Sequence, residues 1–180
     1  MKKPAIRKLI RESIVARALL TLHRKKIDFS AFNILPLSLS KKLVLGLCEK
    51  DLSLDGYRIV RIKDISKAVE VDSFYNDILW KEGLLTNVVI PKVRVKSWKA
   101  VFTDLQKLGK IIVVANECID CKYSNHVIGK VKKVGKKKIK FEYFDSKGNG
   151  QEQVLRIPYK SVTSVSFGGR YEETISKYLV

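Results

Sequence analysis

A self-similarity within the chain constrains its fold more than any other feature. At an offset of about 97 residues, residues 63–68 (Lys-Asp-Ile-Ser-Lys-Ala) align with residues 160–165 (Lys-Ser-Val-Thr-Ser-Val). The same offset places Phe74 on Tyr171. A segment that recurs in this way predicts two diverged copies of one structural unit. The open alternative is a chance match between strands that are both rich in Lys and Val.

Local patterns give each copy the same plan, a helix followed by short strands. Ala100, Val101, Leu105 and Leu108 fall on one helical face, and Gly109 follows where that helix should end. In residues 138–144 apolar and charged residues alternate, which predicts a strand with one buried face. The predicted strands of the second copy are 110–117, 127–133, 138–144, 154–157 and 160–167. Those of the first copy include 43–48, 57–61 and 65–71.

These elements predict an α+β, mostly β fold class built from two repeated modules. Each module has an N-terminal helix, a five-stranded barrel of the Sm-like or SH3-like kind, and a closing C-terminal helix. The predicted domains are residues 1–86 and 96–180, with 87–95 as a connector. Equivalent positions should be buried in both modules, namely Ile65 with Val162 in the strands and Phe74 with Tyr171 in the closing helices.

Three features of the second copy carry a resemblance to a known family. They are Gly129-Lys130-Val131, a polar turn near Gly135, and a late segment that begins Tyr159-Lys160-Ser161. With these features the second copy resembles the Sm-like family, in particular the bacterial Sm-like RNA chaperones. In that family a Tyr-Lys-His segment before the last strand helps to hold RNA. The resemblance implies this role for Tyr159 and Lys160, while Ser161 stands where the family has its His.

Charge is the main functional clue. The formal net charge is +18 and the sequence pI is about 9.9. A dense cluster of Lys attracts polyanions, because binding releases the counterions that phosphates condense. We therefore expect a non-enzymatic binding module for RNA, single-stranded nucleic acid or another polyanion, with Tyr123 as a further aromatic contact. The predicted nucleic-acid-binding residues are Lys130, Lys132, Lys133, Lys136, Lys137, Lys138, Lys140, Tyr159 and Lys160.

The same lysines allow a second interpretation. Lysines on an exposed hairpin also protect sheet edges and keep a protein in solution. In that case the chain would be a protein–protein interaction or assembly module, with its basic surface facing an acidic protein and its sheet edges open to strand addition. Proteins that recognise a specific nucleic-acid sequence use Arg more than Lys, whereas this chain contains more Lys than Arg. Its composition therefore does not favour sequence-specific recognition.

The sequence shows few residues that would support metal binding or catalysis. Cys118, Cys121 and His126 have the spacing of half a zinc site, but a structural site needs four ligands, so we predict neither metal nor cofactor. With two His and no paired carboxylates, no catalytic constellation is evident, and we predict that the protein is not an enzyme. Three Cys and the lack of an apolar run of about 20 residues indicate a cytoplasmic protein without a membrane segment.

Overall fold

The computed structural model of the chain describes residues 1–119, 125–144 and 154–178. Its α-helices are α1 (Lys3–Ala16), α2 (Ser73–Lys81), α3 (Trp98–Lys107) and α4 (Arg170–Ile175), and a short 3-10 helix spans Ile62–Asp64. Its strands are β1 (Leu20–Arg24), β2 (Asp28–Leu39), β3 (Leu43–Lys50), β4 (Ser53–Arg61), β5 (Lys67–Glu70), β6 (Ile112–Asn116), β7 (Asn125–Val134), β8 (Lys138–Tyr143), β9 (Leu155–Pro158) and β10 (Ser164–Phe167).

The strands described form one continuous antiparallel sheet. Its order is β5-β1-β2-β3-β4-β10-β6-β7-β8-β9, so the ten strands are not divided between two barrels. The prediction of two five-stranded barrel modules is therefore wrong. The reason lies at the centre of the sheet, where β10 pairs with β4 from Ser164↔Val60 to Phe167↔Tyr57. An outer strand exposes unpaired N–H and C=O groups, and here two such strands satisfy each other across the predicted module boundary.

Within this sheet the two halves have matching strand patterns. The first half has the strand order β5-β1-β2-β3-β4, and the second half has the order β10-β6-β7-β8-β9. In both halves the last strand along the chain therefore lies beside the first, and the other strands follow in chain order. Each half carries a register shift at a corresponding place, between Pro36 and Ser38 and between Val131 and Lys133. Ser66 donates its backbone N–H to His23 O at 2.8 Å, and Thr163 donates to Ala115 O at 2.9 Å.

Strand β2 shows how register accommodates a proline inside a sheet. The sequence patterns did not predict this strand, because Pro36 interrupts it and proline cannot donate to a neighbouring strand. In the structure Pro36 pairs with Gly46 of β3 next to the register shift. A Cβ on Gly46 would lie only 2.4 Å from Ile34 Cγ1, so the glycine lets the two strands approach closely.

The hydrophobic core crosses the boundary between the predicted domains. Its largest cluster of buried residues combines Leu45 and Ile59 from the first half with Phe102, Phe141 and others from the second. A second cluster packs Ile6 and Ile10 of the amphipathic helix α1 on the first half of the sheet. The expected burial of Ile65 and Val162 is confirmed, since both are fully buried.

The expected burial of Phe74 and Tyr171 is wrong. Phe74 is 71% exposed and Tyr171 is 60% exposed, so neither side chain anchors a closing helix. Helix α2 instead packs through Leu79, with Tyr75 partly buried one turn earlier. The residue that α4 buries is Glu172.

The helices give no indication of a membrane segment. Across the described residues, none of them combines the length and the apolar character that a membrane crossing requires.

Candidate nucleic-acid interface

A groove of about 720 Å³ collects cationic side chains from both halves of the sheet. It lies among the start of α1, the turn between β2 and β3, the 3-10 helix, the start of α3, the turn between β7 and β8, and the segment after β9. No Asp or Glu is among the described residues that line it. Its cationic lining residues are Lys3, Arg7, Lys41, Lys42, Arg61, Lys63, Lys99, Lys136 and Lys160. We call this surface the basic groove.

Two tight turns present lysines to the basic groove. In the β2–β3 turn the Ser40 N–H donates to Leu43 O at 2.8 Å, and Ser40 Oγ accepts from the N–H of Lys42 at 3.1 Å. In the β7–β8 turn the Gly135 N–H donates to Lys138 O at 2.9 Å. Because the bonds that close the turns use backbone groups and the Ser40 hydroxyl, the lysine side chains at their tips stay available for a ligand.

Backbone hydrogen bonds tie each turn to the segment that follows the strand beside it. The Ile62 N–H donates to Lys42 O at 2.9 Å, and the Tyr159 N–H donates to Lys137 O at 3.1 Å. This arrangement brings Lys63 beside the first turn and Lys160 beside the second. A hydrogen bond from the residue after a strand to the neighbouring turn therefore occurs twice along the basic groove.

Three of the cations are partly engaged by the protein. Arg7 donates to Ser40 O at 2.9 Å and also to Lys41 O, while Lys3 Nζ donates to Ile65 O. Arg61 pairs with the Asp64 carboxylate. Burial lowers the pKa of the Lys3 ammonium group, with Asp64 opposing this effect and Lys26 adding to it. Arg7 thus ties α1 to the β2–β3 turn, and Lys3 ties α1 to the residue that follows the 3-10 helix.

The six remaining cations are exposed lysines. In the part of the chain that the structure describes, none of them lies within 4.0 Å of a carboxylate. They are Lys41, Lys42, Lys63, Lys99, Lys136 and Lys160. Unpaired ammonium groups gathered in one concave surface produce a positive potential that a polyanion would neutralise.

The aromatic rings of the basic groove form part of its wall. Tyr159 donates its hydroxyl to Gly135 O at 2.8 Å, and its ring stacks on Phe102 with 6.0 Å between centroids. Trp98 is 8% exposed and packs against the same Phe102 at 6.1 Å. Burial raises the pKa of the Tyr159 hydroxyl, which stays protonated at neutral pH. Both rings are thus held by the core, and the protein already occupies one face of Tyr159.

The structure divides the predicted binding residues among three places. Lys136, Tyr159 and Lys160 line the basic groove. A separate, smaller depression contains Lys132, Lys133 and Lys140, together with Val154 and Arg156. Lys130, Lys137 and Lys138 are exposed and line neither, and Tyr123 lies outside the described residues.

Seven cations of the basic groove were missed from the sequence. They are Lys3, Arg7, Lys41, Lys42, Arg61, Lys63 and Lys99. The internal similarity contained a signal for three of them, because Lys63 aligns with Lys160, and Lys41-Lys42 lies between β2 and β3 as Lys136-Lys137 lies between β7 and β8. The other four lie in α1, at the end of β4 and in α3, which only the fold brings to this surface.

The structure describes only part of the half zinc site that the spacing suggested. Cys118 is disulfide-bonded, and Cys121 lies outside the described residues. Among the residues that are described, no group of three or more His, Cys, Asp or Glu is arranged to hold a metal ion. His126 Nε2 instead lies 4.0 Å from the Glu117 carboxylate.

Comparison with protein-family models, with curated proteins and with solved structures finds no match to this chain.

Proposed function

We propose that this chain is a binding module that holds RNA or single-stranded nucleic acid in the basic groove. One observation carries the proposal: nine cationic side chains and no carboxylate are found among the described lining residues. A phosphate backbone would neutralise these charges and release condensed counterions, which is the main source of affinity in such complexes. A cytoplasmic location is part of the same proposal.

The groove favours contacts to phosphates over recognition of bases. Seven of its nine cations are lysines, which act as point charges and lack the two-pronged geometry of Arg. Tyr159 is held by Gly135 and Phe102, so it has less freedom to stack on a base. We therefore expect binding with little sequence preference.

The Sm-like resemblance supports the same proposal. In the bacterial Sm-like chaperones, the positions that correspond to Tyr159 and Lys160 contact RNA. Here both residues line the basic groove. The corresponding place in the first half is occupied by Ile62 and Lys63, which line it as well.

Salt dependence of affinity is the first test of this proposal. Fluorescence anisotropy with a mixed-sequence single-stranded RNA should show binding at low salt. If the six exposed lysines each neutralise one phosphate, log K should fall against log salt with a slope of about −4. Affinity would then drop by about 100-fold or more between ~50 and ~200 mM salt. A lack of binding at low salt would overturn the proposal.

A pair of charge-matched variants locates the site. Lys41→Ala, Lys42→Ala and Lys160→Ala together should lower the affinity at least tenfold and reduce the salt slope by about 2. The control combines Lys132→Ala, Lys133→Ala and Lys140→Ala, which removes the same charge from the smaller depression. Equal losses in both variants would show that overall charge, and not the basic groove, attracts the RNA.

The second candidate function is that of a protein–protein interaction or assembly module. The observation that favours it is that β5 and β9 end the sheet of described strands, and their outer edges pair with no other described strand, which suits strand addition. A pull-down that survives nuclease treatment and returns an acidic protein would favour this function over RNA binding. The groove variant should then lose that protein, if the basic surface holds it.

A further inference from the structure

A second cleft, of about 650 Å³, crosses the joint between β4 and β10 and has the opposite charge character. Its described lining includes five carboxylates but only two Lys or Arg side chains, Lys50 and Arg58. This local excess of negative charge occurs in a chain whose net charge is +18. The carboxylates are Glu49, Asp51, Asp55, Glu117 and Glu172. We call this surface the acidic cleft.

Two of these carboxylates are already satisfied by the protein. Glu117 receives two hydrogen bonds of 2.6 Å from Arg24. Glu49 accepts the Tyr75 hydroxyl at 2.6 Å and the Asn33 amide at 2.9 Å. They shape the acidic cleft and leave little capacity for a ligand.

Glu172 differs because no described residue pairs with its carboxylate. It is only 7% exposed and lines the acidic cleft. Within the described residues its carboxylate makes no ion pair and accepts no hydrogen bond. Its oxygens are not among the fully enclosed side-chain atoms that lack a hydrogen-bond partner in the described part of the chain, so they reach the acidic cleft. A carboxylate that is unpaired and open to the cleft can accept donors from a cationic ligand.

A glycine lets two carboxylates approach the same stretch of backbone. A Cβ on Gly169 would lie 2.7 Å from Glu172 Oε2 and 3.1 Å from Asp55 Oδ1. The two carboxylates thus converge on the same glycine, and a Cβ at position 169 would clash with Glu172. Asp55 is held there because its Oδ1 accepts the Arg170 N–H at 2.6 Å.

Aromatic side chains line the same cleft. Tyr57 and Phe167 stack with 5.2 Å between ring centroids, and both line it. Arg58 already lies over the Phe32 ring at 4.9 Å, which shows that a cation is accommodated on an aromatic face here. Carboxylates combined with aromatic faces are the usual elements of organic-cation recognition.

We propose that the acidic cleft binds an organic cation, a primary ammonium or guanidinium group on an aliphatic stem, with Glu172 and Asp55 as its counter-charges. The cavity volume suits a small ligand or a single side chain. Two sources share this chemistry, a free polyamine and a Lys or Arg side chain of a partner peptide. The site is separate from the basic groove, since the two surfaces share no lining residue.

Isothermal titration calorimetry on the whole chain separates these sources. One arm uses spermidine, another uses blocked Gly-Arg-Gly and Gly-Lys-Gly peptides, and Gly-Gln-Gly is the neutral control. Because the chain repels cations overall, saturable binding at low salt requires a locally negative site. Binding of spermidine alone assigns the site to free polyamines, and binding of the charged peptides assigns it to a partner side chain. If neither cation binds at millimolar concentration, the proposal is overturned.

Two isosteric variants test the counter-charges. E172Q should weaken cation binding at least tenfold, and D55N should weaken it less while keeping an acceptor for the Arg170 N–H. The matched control is E173Q, on the same helix, whose carboxylate pairs with Lys110 instead. Unchanged affinity in E172Q would refute the assignment. RNA binding by E172Q should equal that of the wild type, so failure of this proposal and failure of the RNA proposal remain distinguishable.

Discussion

At the scale of single residues, the pair of Arg24 and Glu117 links the two halves of the chain. Arg24 has no exposed surface, and both of its terminal nitrogens donate to the Glu117 carboxylate at 2.6 Å. Glu117 also accepts from the hydroxyls of Thr163 at 2.7 Å and Ser164 at 3.1 Å. Burial by itself would raise the pKa of Glu117, but Arg24 and the two hydroxyls outweigh it and lower the pKa to about 2.

This lowered pKa predicts a loss of stability in acid. A carboxylate whose pKa is lower in the folded state than in the unfolded state stabilises the fold above the unfolded pKa of 4.5. That contribution, about 3 kcal/mol, should be lost as the pH falls from about 4.5 to about 2. Urea unfolding of the wild type and E117Q should therefore differ by about 3 kcal/mol at pH 7, because Gln leaves Arg24 uncompensated, and by less than half of that at pH 3.

The control for this prediction is E142Q. Glu142 is 41% exposed and lies 3.7 Å from Lys132, so its removal should change the free energy of unfolding by no more than about 0.5 kcal/mol. A difference between the wild type and E117Q that does not depend on pH would show that Glu117 acts through its shape and not through its charge.

At the scale of elements, close contact between neighbouring strands explains why Gly129 is a glycine. In the sequence this residue was noted only as part of the Sm-like resemblance. Gly129 of β7 pairs with Tyr143 of β8. A Cβ on Gly129 would lie 2.0 Å from Glu142 O, a backbone atom that cannot turn aside. Gly109 is required for a different reason, since it follows α3 in a left-handed conformation with φ of +61° and nothing within 4 Å of a Cβ.

The two glycines predict different costs for the same substitution. Gly129→Ala should lower the free energy of unfolding by about 3 kcal/mol, because β7 and β8 must separate to make room. Gly109→Ala should cost about 1 kcal/mol, which is the backbone penalty alone. Chemical denaturation of both variants measures this difference. Equal costs would mean that β7 and β8 adjust freely around the new side chain.

At the scale of the whole molecule, the sheet and its core unite segments that the sequence assigned to separate domains. The pairing of β4 with β10 and the cluster that joins Leu45 to Phe102 both cross the predicted boundary. A shared sheet and a shared core favour unfolding in one cooperative step.

The fluorescence of the two tryptophans can show whether the two halves unfold together. Trp80 lies in α2 and Trp98 begins α3, so W80F and W98F each leave a reporter in a different half. Both variants should unfold in urea in single transitions, and Leu45→Ala should destabilise each background by about 2–5 kcal/mol. If Leu45→Ala shifted the transition of only one reporter, the halves would be independently folding domains.

The sequence by itself determined those features that depend on near neighbours in the chain. The helical spacing in residues 98–108 with Gly109 after it and the alternation in 138–144 predicted α3 and β8, because side-chain period and backbone freedom act within a few residues. The strong positive charge is likewise a sum over the sequence. Of the nine predicted binding residues, three line the basic groove, namely Lys136 from the lysine cluster and Tyr159 and Lys160 from the resemblance.

Only the tertiary structure decided how distant segments meet. The pairing of β4 with β10, the exposure of Phe74, and the convergence of Lys3, Lys42 and Lys160 on one groove depend on contacts between residues far apart in the chain. Such contacts leave no periodic pattern in the sequence, because they depend on which edge strands pair and which apolar faces pack together in the folded chain. For the same reason the unpaired Glu172 became visible as a candidate site only once the fold had placed it beside Asp55 and Gly169.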